Sequence, residues 1–368
     1  MSEHVALKCN YDSLYQLSEF DRCSELQSFS YHLVGTRTSN SKRGSASFLD
    51  DSILNDGSDV IASDADGLGS VANITRSNHS SSNFTYRADG KLTQYEEWIT
   101  DSKGNDQDRD HDRDHDRDNR SHSRPALKVA YHYDALGRRI AKVADDSRTQ
   151  SYSYLGTENR ILLAKNFDGQ VFAYIDGNGI DQHLGELSHS GLSYYTTDHL
   201  GSVLNSAAAG GMSMYGAFGE TLGNRTKLSE ISEPVIYGFA GRQLDPESGT
   251  YYSRARTYNS ELGRFQQKDP MGFAAGDLNL YRYVGNNPLI YNDPSGKDAW
   301  NIISNSLGTA GTGETIGTMV GGSCGAGGGI PGIFIGGYYG GLIGSTFDSQ
   351  MGNSYQTFPV VTYPPSWP

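Results

Sequence analysis

The chain has 368 residues, a formal net charge of −13, 45 glycines and 24 tyrosines. The negative balance argues against a nucleic-acid partner held on a basic surface. The glycine and tyrosine content suits many short strands joined by turns better than a compact helical enzyme. Three cysteines, Cys9, Cys23 and Cys324, form neither a CxxC pair nor a metal-ligand spacing, so no disulfide framework, cofactor or metal site is expected.

The first residues, MSEHVALKCNYDSLYQL, lack an apolar run of signal-peptide length. They read as mature sequence, or as the middle of a longer repeat array. A repeated unit follows, clearest at Tyr133–Ile140 in YHYDALGRRIAKV, with weaker copies from Tyr11, Tyr31 and Tyr86. In each copy an aromatic-led strand enters a tight turn and an alternating strand leaves it. Gly35, Gly90 and Gly137 supply the positive φ such a turn needs. Tyr15 replaces that glycine in the first copy, so its turn is expected to differ, or the copy has decayed. One such hairpin is marginal in water, whereas stacked hairpins bury a shared face.

Two stretches interrupt the pattern. Residues 40–83 are rich in Ser, Asn, Asp and Gly and are expected to be partly loose; N-x-S/T triplets starting at Asn73, Asn78, Asn83 and Asn224 decide nothing. Residues 106–120, DQDRDHDRDHDRDNR, read as a solvated loop insertion, although His111 and His115 flanked by Asp also suit a metal ion. From 125 onward LKVAYHYD, RIAKVADD, TQSYSYLG, ILLAKNF and QVFAYID read as successive short strands.

The run Tyr195–Val203, YTTDHLGSV, resembles a signature of Rhs (YD-repeat) proteins, and Tyr215–Glu220, YGAFGE, resembles their YDPFGE element. The stretch 237–296, from YGFAGRQLD to YNDPSG, is similar to the Rhs-associated core nearly throughout. The resemblance implies a mainly β fold: an antiparallel β-hairpin array forming part of a curved or spiral shell around a hollow interior, with the core as its plug-like end. The expected organisation is a degenerate YD-repeat region at 1–105, a linker at 106–124, YD-repeat strands at 125–236, the Rhs core at 237–297 and a variable Gly-rich tail at 298–368.

In many members of that family the core is also an intramolecular aspartyl protease that frees a C-terminal toxin segment. Matching residue by residue, the resemblance places Asp269 and Asp293 as the protease carboxylates and Arg256 as the group that orients them or polarises the scissile carbonyl. The expected bond is Lys297–Asp298. Such chemistry needs two carboxylates near enough to share a proton, one acting as base and the other as acid. Three positions depart from the pattern: Lys297 stands where relatives carry Leu, and Thr257 and Asn259 replace Tyr and Asp. Asp-Pro-x-Gly is also a strong turn in its own right.

Residues 298–368 contain no Lys, Arg or His, which disfavours a nuclease or hydrolase there. Gly317, Gly321, Gly325 and Gly329 recur every four residues, and Gly332, Gly336, Gly340 and Gly344 do so again after Pro331. This spacing suits a glycine-zipper helical hairpin contacting a membrane through 313–346, a hairpin packed inside the shell, or a flexible tail.

Three functions stay open: a scaffold that houses or presents the tail, a protease acting once on its own chain, and a carbohydrate- or surface-binding repeat protein. The expected partners are the chain's own tail, further Rhs repeats or an immunity protein. The expected location is cytoplasmic until export by a specialised route, or the cell surface. A closed shell needs more strands than 297 residues provide, so the sequence reads as a truncated copy.

Overall fold

The computed structural model describes residues 7–22, 25–49, 52–63, 69–99, 125–144, 147–206, 211–221, 234–297 and 356–357. The tract at 106–120, the glycine-rich segment at 313–346 and Asp298 lie outside the described residues.

The described chain is a run of antiparallel strands. The first five are β1 (Leu7–Tyr11), β2 (Leu17–Arg22), β3 (Glu25–Tyr31), β4 (Arg37–Asn40) and β5 (Gly44–Ser45). A second, thirteen-stranded sheet then runs in sequence order. It comprises β6 (Ser47–Leu49), β7 (Ser52–Asn55), β8 (Val60–Ser63), β9 (Val71–Thr75), β10 (Ser81–Tyr86), β11 (Leu92–Trp98), β12 (Leu127–Tyr133), β13 (Arg139–Ala144), β14 (Thr149–Tyr154), β15 (Ile161–Lys165), β16 (Val171–Asp176), β17 (His183–Ser188) and β18 (Gly191–Tyr194). The pair β19 (Asn205–Ser206) and β20 (Gly211–Met212) leads to a five-stranded sheet of β21 (Ile236–Tyr237), β22 (Gln243–Asp245), β23 (Thr250–Ser253), β24 (Arg256–Asn259) and β25 (Arg264–Phe265). A short strand, β26 (Gln356–Thr357), pairs with β1.

Six hairpins share one irregularity. Their pairing shifts register at the same place, at Tyr11, Tyr31, Tyr86, Tyr133, Tyr154 and Asp176, where the strand enters its turn. In the best-formed unit Gly137 N–H donates to the Asp134 carbonyl at 3.0 Å with φ 76°, and Asp134 N–H donates to Arg138 at 2.9 Å. The first copy is closed by the same bonds, Tyr15 to Asp12 at 3.0 Å and Asp12 to Gln16 at 2.9 Å, with Tyr15 itself at φ 60°. The expectation of a different turn there is therefore not met. Asp12 Oδ1 accepts the N–H groups of Leu14 and Gln16, both at 2.9 Å, and these bonds hold the turn where glycine is missing.

The repeat tyrosines stitch neighbouring strands together. Tyr31 donates its hydroxyl to Leu17 O at 2.6 Å, Tyr86 to Val71 O at 3.0 Å, Tyr133 to Leu92 O at 2.7 Å and Tyr154 to Arg139 O at 2.7 Å. Each acceptor is the first residue of the preceding strand. Each hydroxyl thus ties its own strand to the carbonyl at the head of the strand before it. This structural role counts against these tyrosines as sugar-stacking platforms.

Strand alternation sends Phe84, Tyr95, Val129, Tyr131, Tyr152, Phe172 and Tyr174 to one buried face. Over the described residues that face is covered by the segment following β18. Leu262 packs with Ile61 and Val129, Tyr237 packs with Tyr152 and Tyr174, and Phe218 meets Phe29 edge-on at 5.0 Å. The segment also has its own aromatic core around Phe239, Tyr251, Tyr258, Phe265 and Tyr283. Burying each such side chain contributes roughly 1.5–3 kcal/mol relative to leaving it exposed.

Candidate active site

Strand β24 is buried along its whole length and carries Arg256 into the interior. The guanidinium lies over the Phe265 ring, 3.5 Å from its centroid, so its flat face is fixed while its edges stay free to donate. Those edges gather the predicted residues. Nη2 stands 3.0 Å from Asp269 Oδ2 and 3.0 Å from Asp293 Oδ2. Nε donates to the Gly296 carbonyl at 2.6 Å, and Nη1 to the Leu280 carbonyl at 3.2 Å. Burial lowers the pKa of Arg256, and the charges of Asp293 and Asp269 act against that shift.

Asp293 opens the turn Asp293-Pro294-Ser295-Gly296. Its Oδ1 accepts the Gly296 N–H at 2.9 Å, the Lys297 N–H at 3.3 Å and the Ser295 hydroxyl at 3.1 Å. Its side chain is fully buried, whereas that of Asp269 is 8% exposed. Asp269 follows β25, and its Oδ1 accepts the Met271 N–H at 2.8 Å. Gly296 has φ 68°, and a Cβ there would stand 2.1 Å from Ser253 O, so the turn admits only glycine.

Arg256, Asp269 and Asp293 thus meet at one guanidinium. The arrangement differs in one respect from a bare carboxylate pair: one guanidinium nitrogen touches both Asp269 and Asp293. The carbonyl that Arg256 reaches belongs to Gly296, one residue before the expected bond, and Lys297 is exposed. The two variant positions are engaged elsewhere. Thr257 exchanges hydrogen bonds with the Gln267 side chain, and Asn259 Oδ1 accepts the Leu262 N–H at 3.1 Å.

Sequence reasoning passed over Asp181, Arg242 and Arg254, which surround the same turn from its other side. The available signal was the position of Arg254 within an aromatic run, YYSRARTYN. Among the described residues no group of three His, Cys, Asp or Glu side chains stands where it could hold a metal ion.

Residues 119–289 match the family model described as Teneurin YD-shell. Residues 119–289, a little under half of the chain, thus carry a YD-shell of the Rhs (YD-repeat) type. It is 30% identical over 183 residues to the tRNA nuclease WapA of Bacillus subtilis, a match spanning 48% of this chain and 8% of WapA. It is 26% identical over 204 residues to the toxin protein Tse5 of Pseudomonas aeruginosa, spanning 46% of this chain and 15% of Tse5. A probable deoxyribonuclease, RhsA of Dickeya dadantii, is 31% identical over 175 residues, or 45% of this chain and 12% of RhsA. The chain therefore corresponds to a small part of each relative's length.

Proposed function

We propose that this chain is the closing part of a toxin-associated Rhs scaffold that houses or presents the segment after residue 297 and cuts its own backbone once to free it. The observation that carries the proposal is the meeting of Asp269, Asp293 and the Gly296 carbonyl at the Arg256 guanidinium. Asp269, the more accessible carboxylate, is the base that takes a proton from water. The water oxygen adds to the scissile carbonyl, the C–N bond breaks, and that proton passes to the departing nitrogen. Arg256 stabilises negative charge as it develops, and Asp293 holds the turn through three bonds at Oδ1.

Relatives named as a toxin and as nucleases support the scaffold reading. The tail of this chain carries no Lys, Arg or His, so their nuclease activity is not carried over to it. Export, or display at a cell surface, belongs to the same proposal.

The test is expression of the full chain beside Asp269→Asn, with intact-mass analysis of both. The wild type should give a fragment of residues 298–368, and the variant should stay whole. A fragment beginning at Lys297 would move the cut to the carbonyl that Arg256 touches. Recovery of uncut wild-type protein under all folding conditions would overturn the cleavage.

A further inference from the structure

The turn that Arg256 grips from one side is gripped from the other by two more arginines. Arg242 Nη1 donates to the Pro294 carbonyl at 3.0 Å, and Arg254 Nη1 donates to the same oxygen at 2.5 Å. Two cations on one neutral carbonyl repel each other unless an anion lies between them. Asp181 is that anion: Oδ1 pairs with Arg254 Nη2 at 2.6 Å, and Oδ2 pairs with Arg242 Nη2.

Asp181 does not belong to the core segment. It lies in the turn between β16 and β17, within the repeat array. Its backbone sits at φ 55° and that of Arg254 at φ 53°, left-handed conformations that cost an L side chain about 1–2 kcal/mol each. Such strain persists where surrounding contacts over-determine it. Here those contacts are the arginine–aspartate bonds and the Ala255 N–H donated to Ser295 O at 3.2 Å.

We propose that Asp181, Arg242 and Arg254 are positioning residues that clamp the 293–297 turn, so that the cut waits until the β16–β17 turn of the array has docked on the core. The inference rests on the self-cleavage proposed above. The clamp touches Pro294 and bonds to neither carboxylate of the site, so its loss should displace the scissile bond through the backbone of the turn.

Two measurements separate this from a general structural role. First, conversion of freshly translated full chain to fragment is followed in time for wild type, Asp181→Asn and Asp181→Glu. Second, hydrogen exchange at the Gly296 and Lys297 amides is compared between Asp269→Asn and Asp269→Asn with Asp181→Asn, neither of which is expected to cut. Asp181→Asn should slow the cut on the order of 100-fold and speed exchange at both amides, and Asp181→Glu should recover part of the rate. Unchanged exchange, or faster exchange with an unchanged rate of cutting, would overturn the clamp. Uncut wild-type protein would overturn the cleavage reading alone, since the exchange comparison still reads the clamp.

Discussion

Arg139, at the start of β13, places Nη1 2.7 Å from Asp245 Oδ2 in β22, with the two side chains only 2% and 1% exposed. Lys142 Nζ approaches the other oxygen of Asp245 at 2.7 Å and Glu247 at 3.0 Å, and Tyr131 donates to Glu247 at 2.8 Å. Two cations of the array are thus sealed against two anions of the core. Burial raises the Asp245 pKa, but Arg139 and Lys142 outweigh that effect and hold it below the ordinary value. Removing the shared anion leaves Arg139 buried without a carboxylate, a situation that costs about 3–5 kcal/mol. Asp245→Ala should therefore lose about that much in urea unfolding of the full chain. A loss under about 1 kcal/mol would mean that water reaches this layer.

The tyrosine stitches predict a smaller and repeated effect. Tyr133→Phe keeps the ring against Tyr252, whose centroid is 6.2 Å away, but leaves the Leu92 carbonyl without its hydroxyl donor. The expected loss is about 1–3 kcal/mol, the cost of an unsatisfied buried acceptor. Tyr154→Phe removes the equivalent bond to Arg139 O and should cost a similar amount. Parallel unfolding curves of both variants check this, and wild-type stability in either would show that the carbonyl is already solvated.

Acid should weaken the molecule partly through Asp181. Burial pushes its carboxyl up from 3.8, but Arg242 and Arg254 more than offset this and hold it at about 2. A folded-state pKa below the unfolded one adds stability that is present above 3.8 and is lost as pH falls through about 2. Its size is about 2 kcal/mol. The difference in unfolding free energy between wild type and Asp181→Asn should therefore shrink between pH 5 and pH 2, and a difference constant over that range would contradict the ion cluster.

The repeat grammar was legible because it is local. A tyrosine, a tight turn and an alternating strand lie within a dozen residues, and hydrogen bonds inside that window fix the conformation. The same locality explains the misreading of Tyr15, since glycine was treated as the cause of the turn when the Asp12 carboxylate also secures it. Arg256, Asp269 and Asp293 were legible only through the family's motif order. Their meeting depends on β24, β25 and the Asp-Pro-Ser-Gly turn folding onto one another. Asp181 and Asp245 were not legible at all. Asp181 lies 73 positions from Arg254, and Arg139 lies 106 positions from Asp245, and no periodicity in one strand encodes a partner so far along the chain.

Arg256 gives the sharpest test of the site itself. Its planar fork reaches Asp269, Asp293 and the Gly296 carbonyl together, with donors fixed in one plane over Phe265. A lysine keeps the charge but offers a single point donor, which cannot serve both carboxylates and the carbonyl from one position. Arg256→Lys should therefore slow self-cleavage by about 100-fold or more, the usual effect of losing one donor aimed at developing charge. Intact mass at fixed times after folding measures this, with thermal unfolding alongside to confirm that the core remains formed. A folded Arg256→Lys chain that cuts at the wild-type rate would remove Arg256 from the chemistry and leave it only the role of holding the turn.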